Sequence, residues 1–161
     1  MANGAAHIVD FAMRIALASD EPYPVHARIR AYLSERGHEL FYFGGFGDGP
    51  AAAWSSVAHE AADAIAERRC EIGILLCWSG TGITMAANKV AGIRAALCVD
   101  PGSARAARQW NDANVLCLAN RTLSGDMACE ILDAWFDAEP LHEAAEGIAL
   151  MNTLDGMQRR R

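Results

Sequence analysis

Long hydrophobic runs are missing from this 161-residue sequence. Nowhere does it approach the roughly 18 consecutive apolar residues that a membrane-spanning helix needs. A basic excess is missing too. With a net charge of −6 at pH 7, non-specific nucleic-acid binding is not expected, although a few local cations can still hold an anionic ligand. The five cysteines, Cys70, Cys77, Cys98, Cys117 and Cys129, include no CxxC pair and no Cys/His cluster. That speaks against a structural metal and for reduced thiols in a cytoplasmic protein. Residues 1–12 are mildly apolar, but Asp10 interrupts them and no basic leader precedes, so no signal peptide is expected.

What is present is the composition of one globular domain, 52% apolar and 21% charged. Strand and helix patterns alternate along it. Arg14 to Ala18 reads as a first strand. Val25, Ile29 and Leu33 then mark an amphipathic helix that Gly37 stops. Glu39 to Phe43 is a second strand, followed by a glycine-rich loop over 44–50 expected to be mobile. Val57, Ala61 and Ile65 stripe a second helix, and Ile72 to Cys77 is a third strand. Gly92 to Cys98 reads as a fourth strand, Pro101 to Trp110 as a helix, and Val115 to Leu118 as a fifth strand. Met127, Ile131 and Trp135 define another helix. Glu143 to Met157 is expected to be helical and Arg159 to Arg161 frayed. This alternation implies βαβ units with right-handed crossovers: an α/β fold whose parallel sheet is covered on both faces. Ligands in such folds bind at the carboxyl ends of the strands.

One stretch carries the chemistry. After the apolar run Ile74-Leu75-Leu76-Cys77, the chain passes Trp78-Ser79-Gly80-Thr81-Gly82 into the helical segment Ile83 to Lys89. A strand–glycine loop–helix unit gathers unpaired backbone N–H groups beside a thiol, which favours an anion or reacting oxygen there and thiolate at Cys77. Equally, Cys77 can be a small core residue and the glycines a simple turn. The loop has neither GxGxxG spacing nor a P-loop lysine, which weakens any nucleotide-binding reading.

The Cys77 loop running into Met85-Ala86-Ala87-Asn88-Lys89-Val90, the segment Gly92 to Cys98, the run Asn111-Asp112-Ala113-Asn114-Val115-Leu116, and Ser19-Asp20 after the first strand together resemble the ribose-5-phosphate isomerase type B family, which includes the galactose-6-phosphate isomerase subunits. The resemblance spans Met13 to about Trp135. It implies a Rossmann-like three-layer sandwich with a five-stranded parallel sheet, a homodimer with composite sites, no metal or nucleotide cofactor, and interconversion of aldose and ketose through an enediolate. It divides the chain into an extension (1–12), an isomerase-like domain (13–138) and a helical tail (139–161). Residue by residue, it implies that Cys77 is the base and that Ser79, where the family has threonine, relays a proton. Asp20 handles substrate hydroxyls. Gly80, Thr81 and Gly82 with Asn111 bind the enediolate, and Arg121 holds a phosphate. Lys89 and Arg94 read as structural.

The departures bear on substrate. Glu21 and Trp110 stand where the family has histidines. Ala53-Trp54-Ser55 replaces an Asp-Tyr-Pro motif, Trp78 replaces a glycine, and an arginine-bearing C-terminal segment has no counterpart in Pro140 to Glu146. Glu21 is either a hydroxyl ligand or an exposed loop acid. Trp110 either lines the pocket or caps a helix, and Trp54 and Trp78 are pocket candidates of the same kind. His26, His38, His59 and His142 match no catalytic position and read as structural or solvated. The reading is an aldose–ketose isomerase for a small sugar phosphate of pentose or tetrose type. The alternative is a non-catalytic sugar or sugar-phosphate binder, or a subunit that needs a partner.

Overall fold

The structure, a computed structural model, describes residues 12–47 and 49–158. Strands β1 (Arg14–Ser19), β2 (Glu39–Gly44), β3 (Ile72–Cys77), β4 (Ala95–Leu97) and β5 (Val115–Ala119) form one sheet in the order β2-β1-β3-β5-β4, every pairing parallel. The connecting helices are α1 (Val25–Glu35), α2 (Trp54–Ala66), α3 (Thr81–Ala87) and α4 (Pro101–Asn111), and α5 (Gly125–Phe136) and α6 (Ala145–Gln158) follow β5. The five-stranded α/β architecture expected from the alternation is therefore observed, in Rossmann-like form.

Side-chain alternation along the strands builds two cores. Ile15, Leu17, Ile74, Leu76, Leu116 and Leu118 face one side, where Ile29 and Leu33 of α1, Ala104 of α4, and Ile131 and Trp135 of α5 cover them. Ala16, Ala18, Leu75, Cys77, Val115 and Cys117 face the other, under Val57, Ala61 and Ile65 of α2 and Ile83 and Ala87 of α3. Alanines on the second face let α2 lie close to the sheet. Each fully buried Leu or Ile contributes about 1.5–3 kcal/mol relative to exposure, so both faces are committed by sequence.

One strand differs from expectation. The fourth strand is shorter than the segment 92–98, because Gly92 turns at φ +86° and the Asn88 side chain brackets Ala95. Asn88 Nδ2 donates to the Ala95 carbonyl at 2.8 Å, and Ala95 N–H donates to Asn88 Oδ1 at 2.8 Å. The glycine-rich loop after β2 is anchored by Phe46, which is 1% exposed. Its Gly45 N–H donates to the Ser19 carbonyl at 2.6 Å. The tail is helical as expected, a single 3₁₀ turn (His142–Ala144) leading into α6. Residues 1–11 of the N-terminal extension and the Arg159–Arg161 end lie outside the described residues.

The sheet order fixes where a ligand fits. From β1 the chain moves outward to β2, then crosses back to β3 on the opposite side of β1. The loops leaving β1 and β3 therefore diverge and open a crevice at the carboxyl edge. Ser19 pairs with Leu76 and Cys77 with Ala119, which puts the ends of β1, β3 and β5 level.

Candidate active site

Cys77 ends β3, with its side chain on the α2/α3 face, and is 5% exposed. Beyond it the chain must leave the strand and enter α3 within three residues. Gly80 makes this possible by adopting a left-handed conformation (φ +73°) at the N-cap of α3. A side chain there would also press on Leu97 and on the Leu118 backbone. Ser79 Oγ accepts from the Thr81 N–H at 3.4 Å, and Thr84 Oγ1 donates to the Gly80 carbonyl at 2.6 Å, so hydroxyls at both ends stiffen the turn. The first-turn N–H groups of α3 have no intrahelical acceptor and face this loop.

Three neighbouring segments close around it. Trp54, the first residue of α2, lies on Gly82: a Cβ at Gly82 would stand 3.1–3.3 Å from its ring atoms. The Trp78 carbonyl accepts from the Arg121 N–H at 3.1 Å, which ties the loop to the 3₁₀ turn Asn120–Thr122 after β5. Arg121 is exposed, and its guanidinium forms no ion pair among the described residues.

The β1 loop supplies the acids. Asp20 Oδ1 accepts from the Glu21 N–H at 3.0 Å and from the Tyr23 hydroxyl at 3.2 Å. Ser19 Oγ donates to the Glu21 carbonyl at 2.8 Å, and Ala52 N–H donates to the Asp20 carbonyl at 2.9 Å. Glu21 itself is exposed. Burial, then the charge and hydrogen bond of Asp20 and the charge of Glu21, push the Tyr23 phenol well above its usual range, so it stays a proton donor. Tyr23 escaped the sequence reading; only its place three residues after Asp20, between two prolines, hinted at a turn contact.

Asp20, Glu21, Trp54, Cys77, Trp78, Ser79, Gly80, Thr81, Gly82 and Arg121 thus gather at the carboxyl edge. Trp110 and Asn111 do not, so within one chain Asn111 stands apart from the Cys77 loop with which the resemblance groups it. Both end α4, which begins at the carboxyl edge after β4 and leads into the start of β5. Eleven residues of helix carry the chain about 16 Å, to the amino edge. There Asn111 lines a cavity of about 410 Å³ with Asn88, Arg94, Met151, Leu154 and Asp155. Trp110 is 52% exposed at that edge.

The end of α4 is held firmly. Asp112 caps it in a left-handed conformation (φ 44°). Arg94 Nη2 contacts Asp112 Oδ2 at 2.9 Å and Arg94 Nε donates to the Asp112 carbonyl at 2.7 Å, while Arg108 Nη1 meets Asp112 Oδ1 at 3.3 Å. Asn114 Oδ1 accepts from the Arg94 N–H at 2.8 Å, and Asn114 Nδ2 donates to the Gly92 carbonyl at 2.9 Å. Arg94 is therefore occupied structurally. Among the described residues, no cluster of three or more His, Cys, Asp or Glu side chains is placed to hold a metal. The carboxyl-edge set offers a thiol, hydroxyls, carboxylates and backbone donors, the groups that move a proton on and off carbon beside a carbonyl.

Comparison with known proteins identifies the family. A sequence profile of the Ribose/Galactose Isomerase family matches residues 15–149. The chain is 42% identical over 118 residues to ribose-5-phosphate isomerase B of Escherichia coli, covering 69% of this chain and 74% of that protein. It is 40% identical over 111 residues to D-erythrulose-4-phosphate isomerase of Pectobacterium atrosepticum, covering 69% and 73%. The structure of Clostridium thermocellum ribose-5-phosphate isomerase B superposes with a TM-score of 0.83 at 34% identity, over 91% of this chain and 99% of that one. Fold and sequence agree: this chain belongs to the Ribose/Galactose Isomerase family and is an isomerase of that family.

Proposed function

We propose that the chain interconverts an aldose and a ketose of a four- or five-carbon sugar phosphate, moving one proton between C1 and C2 through an enediolate. The observation that carries this reading is the placement of Cys77 at the end of central β3, in the crevice that Asp20 and the left-handed Gly80 turn line. Cys77 takes the proton as base. Ser79 shuttles a proton between O1 and O2, and the backbone N–H groups from Gly80 to Gly82 meet the developing oxyanion. Asp20 and Glu21 hold substrate hydroxyls, Trp54 and Trp78 pack the carbon chain, and Arg121 receives the phosphate.

Because Trp110 and Asn111 lie at the opposite edge, their roles require a second copy. In the homodimer proposed here, the partner subunit's Asn111 completes the oxyanion site and the partner's Trp110 closes the pocket. Support for a short substrate comes from the relative named D-erythrulose-4-phosphate isomerase. A four-carbon 4-phosphate has no free hydroxyl with which to close a furanose or pyranose ring. It therefore suits a site with Glu21 and Trp110 at the positions that resemble the family's histidines.

The test is a panel of C4 to C6 aldose and ketose phosphates and free sugars, incubated in deuterated water and followed by NMR. Deuterium entering C1 or C2 of one substrate, with both isomers appearing, is the expected result. Tight binding without exchange into any of them overturns the isomerase reading in favour of a binding protein.

A further inference from the structure

We infer that Tyr23 is a positioning residue for this reaction: its hydroxyl fixes the Asp20 carboxylate so that one oxygen is left open to a substrate hydroxyl. The inference rests on the carboxyl-edge site proposed above. Tyr23 lies in the turn Pro22-Tyr23-Pro24, where both prolines restrict the backbone, and Pro24 is the N-cap of α1. Its ring is set edge-on against His26, with centroids 5.5 Å apart and planes at 81°. His26 in turn stacks flat on buried Phe46, at 4.0 Å and 13°. The Tyr23 N–H donates to His26 Nδ1 at 3.4 Å, so backbone and ring are both held.

That support aims the phenol at one acceptor. The Tyr23 hydroxyl donates to Asp20 Oδ1 at 3.2 Å, the oxygen that also receives the Glu21 N–H. Two donors converge on Oδ1, while Oδ2 makes no hydrogen bond among the described residues. The terminal torsion of an aspartate is otherwise broad, so two donors on one oxygen select its orientation. Burial and the surrounding negative charges keep the phenol protonated, so it acts as a donor throughout the neutral range. The ring's packing needs no hydroxyl; the hydroxyl's hydrogen bond goes to Asp20 alone among the described residues.

Tyr23→Phe keeps the ring and removes that bond, and a double-mutant cycle with Asp20→Ala reads whether the hydroxyl works through the carboxylate. The expected result is a kcat/KM loss of about tenfold for Tyr23→Phe in the wild-type background, the size of one lost hydrogen bond to a charged group. In the Asp20→Ala background the same substitution changes kcat/KM by less than about twofold, because nothing remains to be positioned. The thermal midpoint is unchanged in both. A Tyr23→Phe effect below twofold in wild type, or an equal loss in both backgrounds, overturns the inference. If wild type turns over no sugar in the panel, the isomerase reading falls. The same cycle is then read through affinity for erythritol 4-phosphate, a polyol without a carbonyl, by quenching of tryptophan fluorescence. Weakening confined to the Asp20 background upholds the positioning role, and equal weakening, none, or no polyol binding at all overturns it.

Discussion

The indole of Trp54 lies directly on Gly82, with Cε3, Cδ2 and Cζ3 all within 3.3 Å of where a Cβ would stand. Two elements that are distant in sequence, the start of α2 and the first turn of α3, are thereby locked at the mouth of the Cys77 loop. Gly82→Ala makes the ring give by a few tenths of an ångström. We expect kcat/KM to fall by about two- to fivefold, since even small misplacements of a positioning group are costly, with little change in melting temperature. A shift of the Trp54 emission maximum reports the displaced ring, and unaltered kinetics would remove Trp54 from the site.

Cys77→Ala should lower proton exchange by about 10²–10⁴-fold, the usual worth of a general base, while sugar-phosphate binding persists. Asn111→Ala should also impair turnover, but from the other edge of the sheet. Mixing the two inactive chains and allowing subunits to exchange should therefore restore activity. In a two-fold dimer with random pairing, about a quarter of the sites then carry both native residues. No recovery would show that Cys77 and Asn111 do not share a site across a dimer.

Arg121→Ala should weaken a phosphorylated ligand by tenfold or more, because a charge-assisted arginine–phosphate contact is worth about 1.5–3 kcal/mol. The matching free sugar should bind unchanged. Calorimetric titration of both ligands against both proteins makes the comparison; an equal loss for both would make Arg121 structural.

His26 gives a pH dependence with a definite sign. Burial, followed by the nearby Arg30 charge, lowers its pKa from 6.5 to about 4. Above pH 6.5 the ring is neutral in both folded and unfolded chains. As pH falls from 6.5 toward 4, only the unfolded chain takes up the proton, so stability is lost across that window, on the order of 2–3 kcal/mol at its end. His38 is lowered in the same direction by burial and the Arg36 charge, and adds to the loss. His26→Phe keeps the stack on Phe46 and should flatten the slope. Urea midpoints at pH 7, 5.5 and 4.5 measure it, and an unchanged slope would assign the acid sensitivity elsewhere.

Much of this was readable from residues alone. Ile72 to Cys77 is apolar throughout because β3 is central and buried on both faces, and Val57, Ala61 and Ile65 mark the buried stripe of α2. Gly80 announced its turn. The length of the fourth strand was not readable, because Arg94 and Asn88 resemble ordinary polar residues until Asp112 and Ala95 are found beside them. The resemblance groups Asn111 with Cys77, but only the direction of α4 reveals that the two lie at opposite edges of one chain's sheet. Tyr23 was hidden for the opposite reason: its meaning lies in a single hydroxyl contact within a turn, which leaves no periodic trace.

The sheet order β2-β1-β3-β5-β4 has a consequence for how the chain is made. The first three strands are sheet neighbours, so β1, β2 and β3 can zip together as they emerge from a ribosome. β4 follows them but has only β5 to pair with, and β5 must slot between β3 and β4. Ala95 to Leu97 therefore waits unpaired while roughly twenty further residues are synthesised, a lag of a few seconds at ordinary elongation rates. A nascent chain stalled before Val115 presents a half-sheet whose open edge is β3, the strand that ends in Cys77.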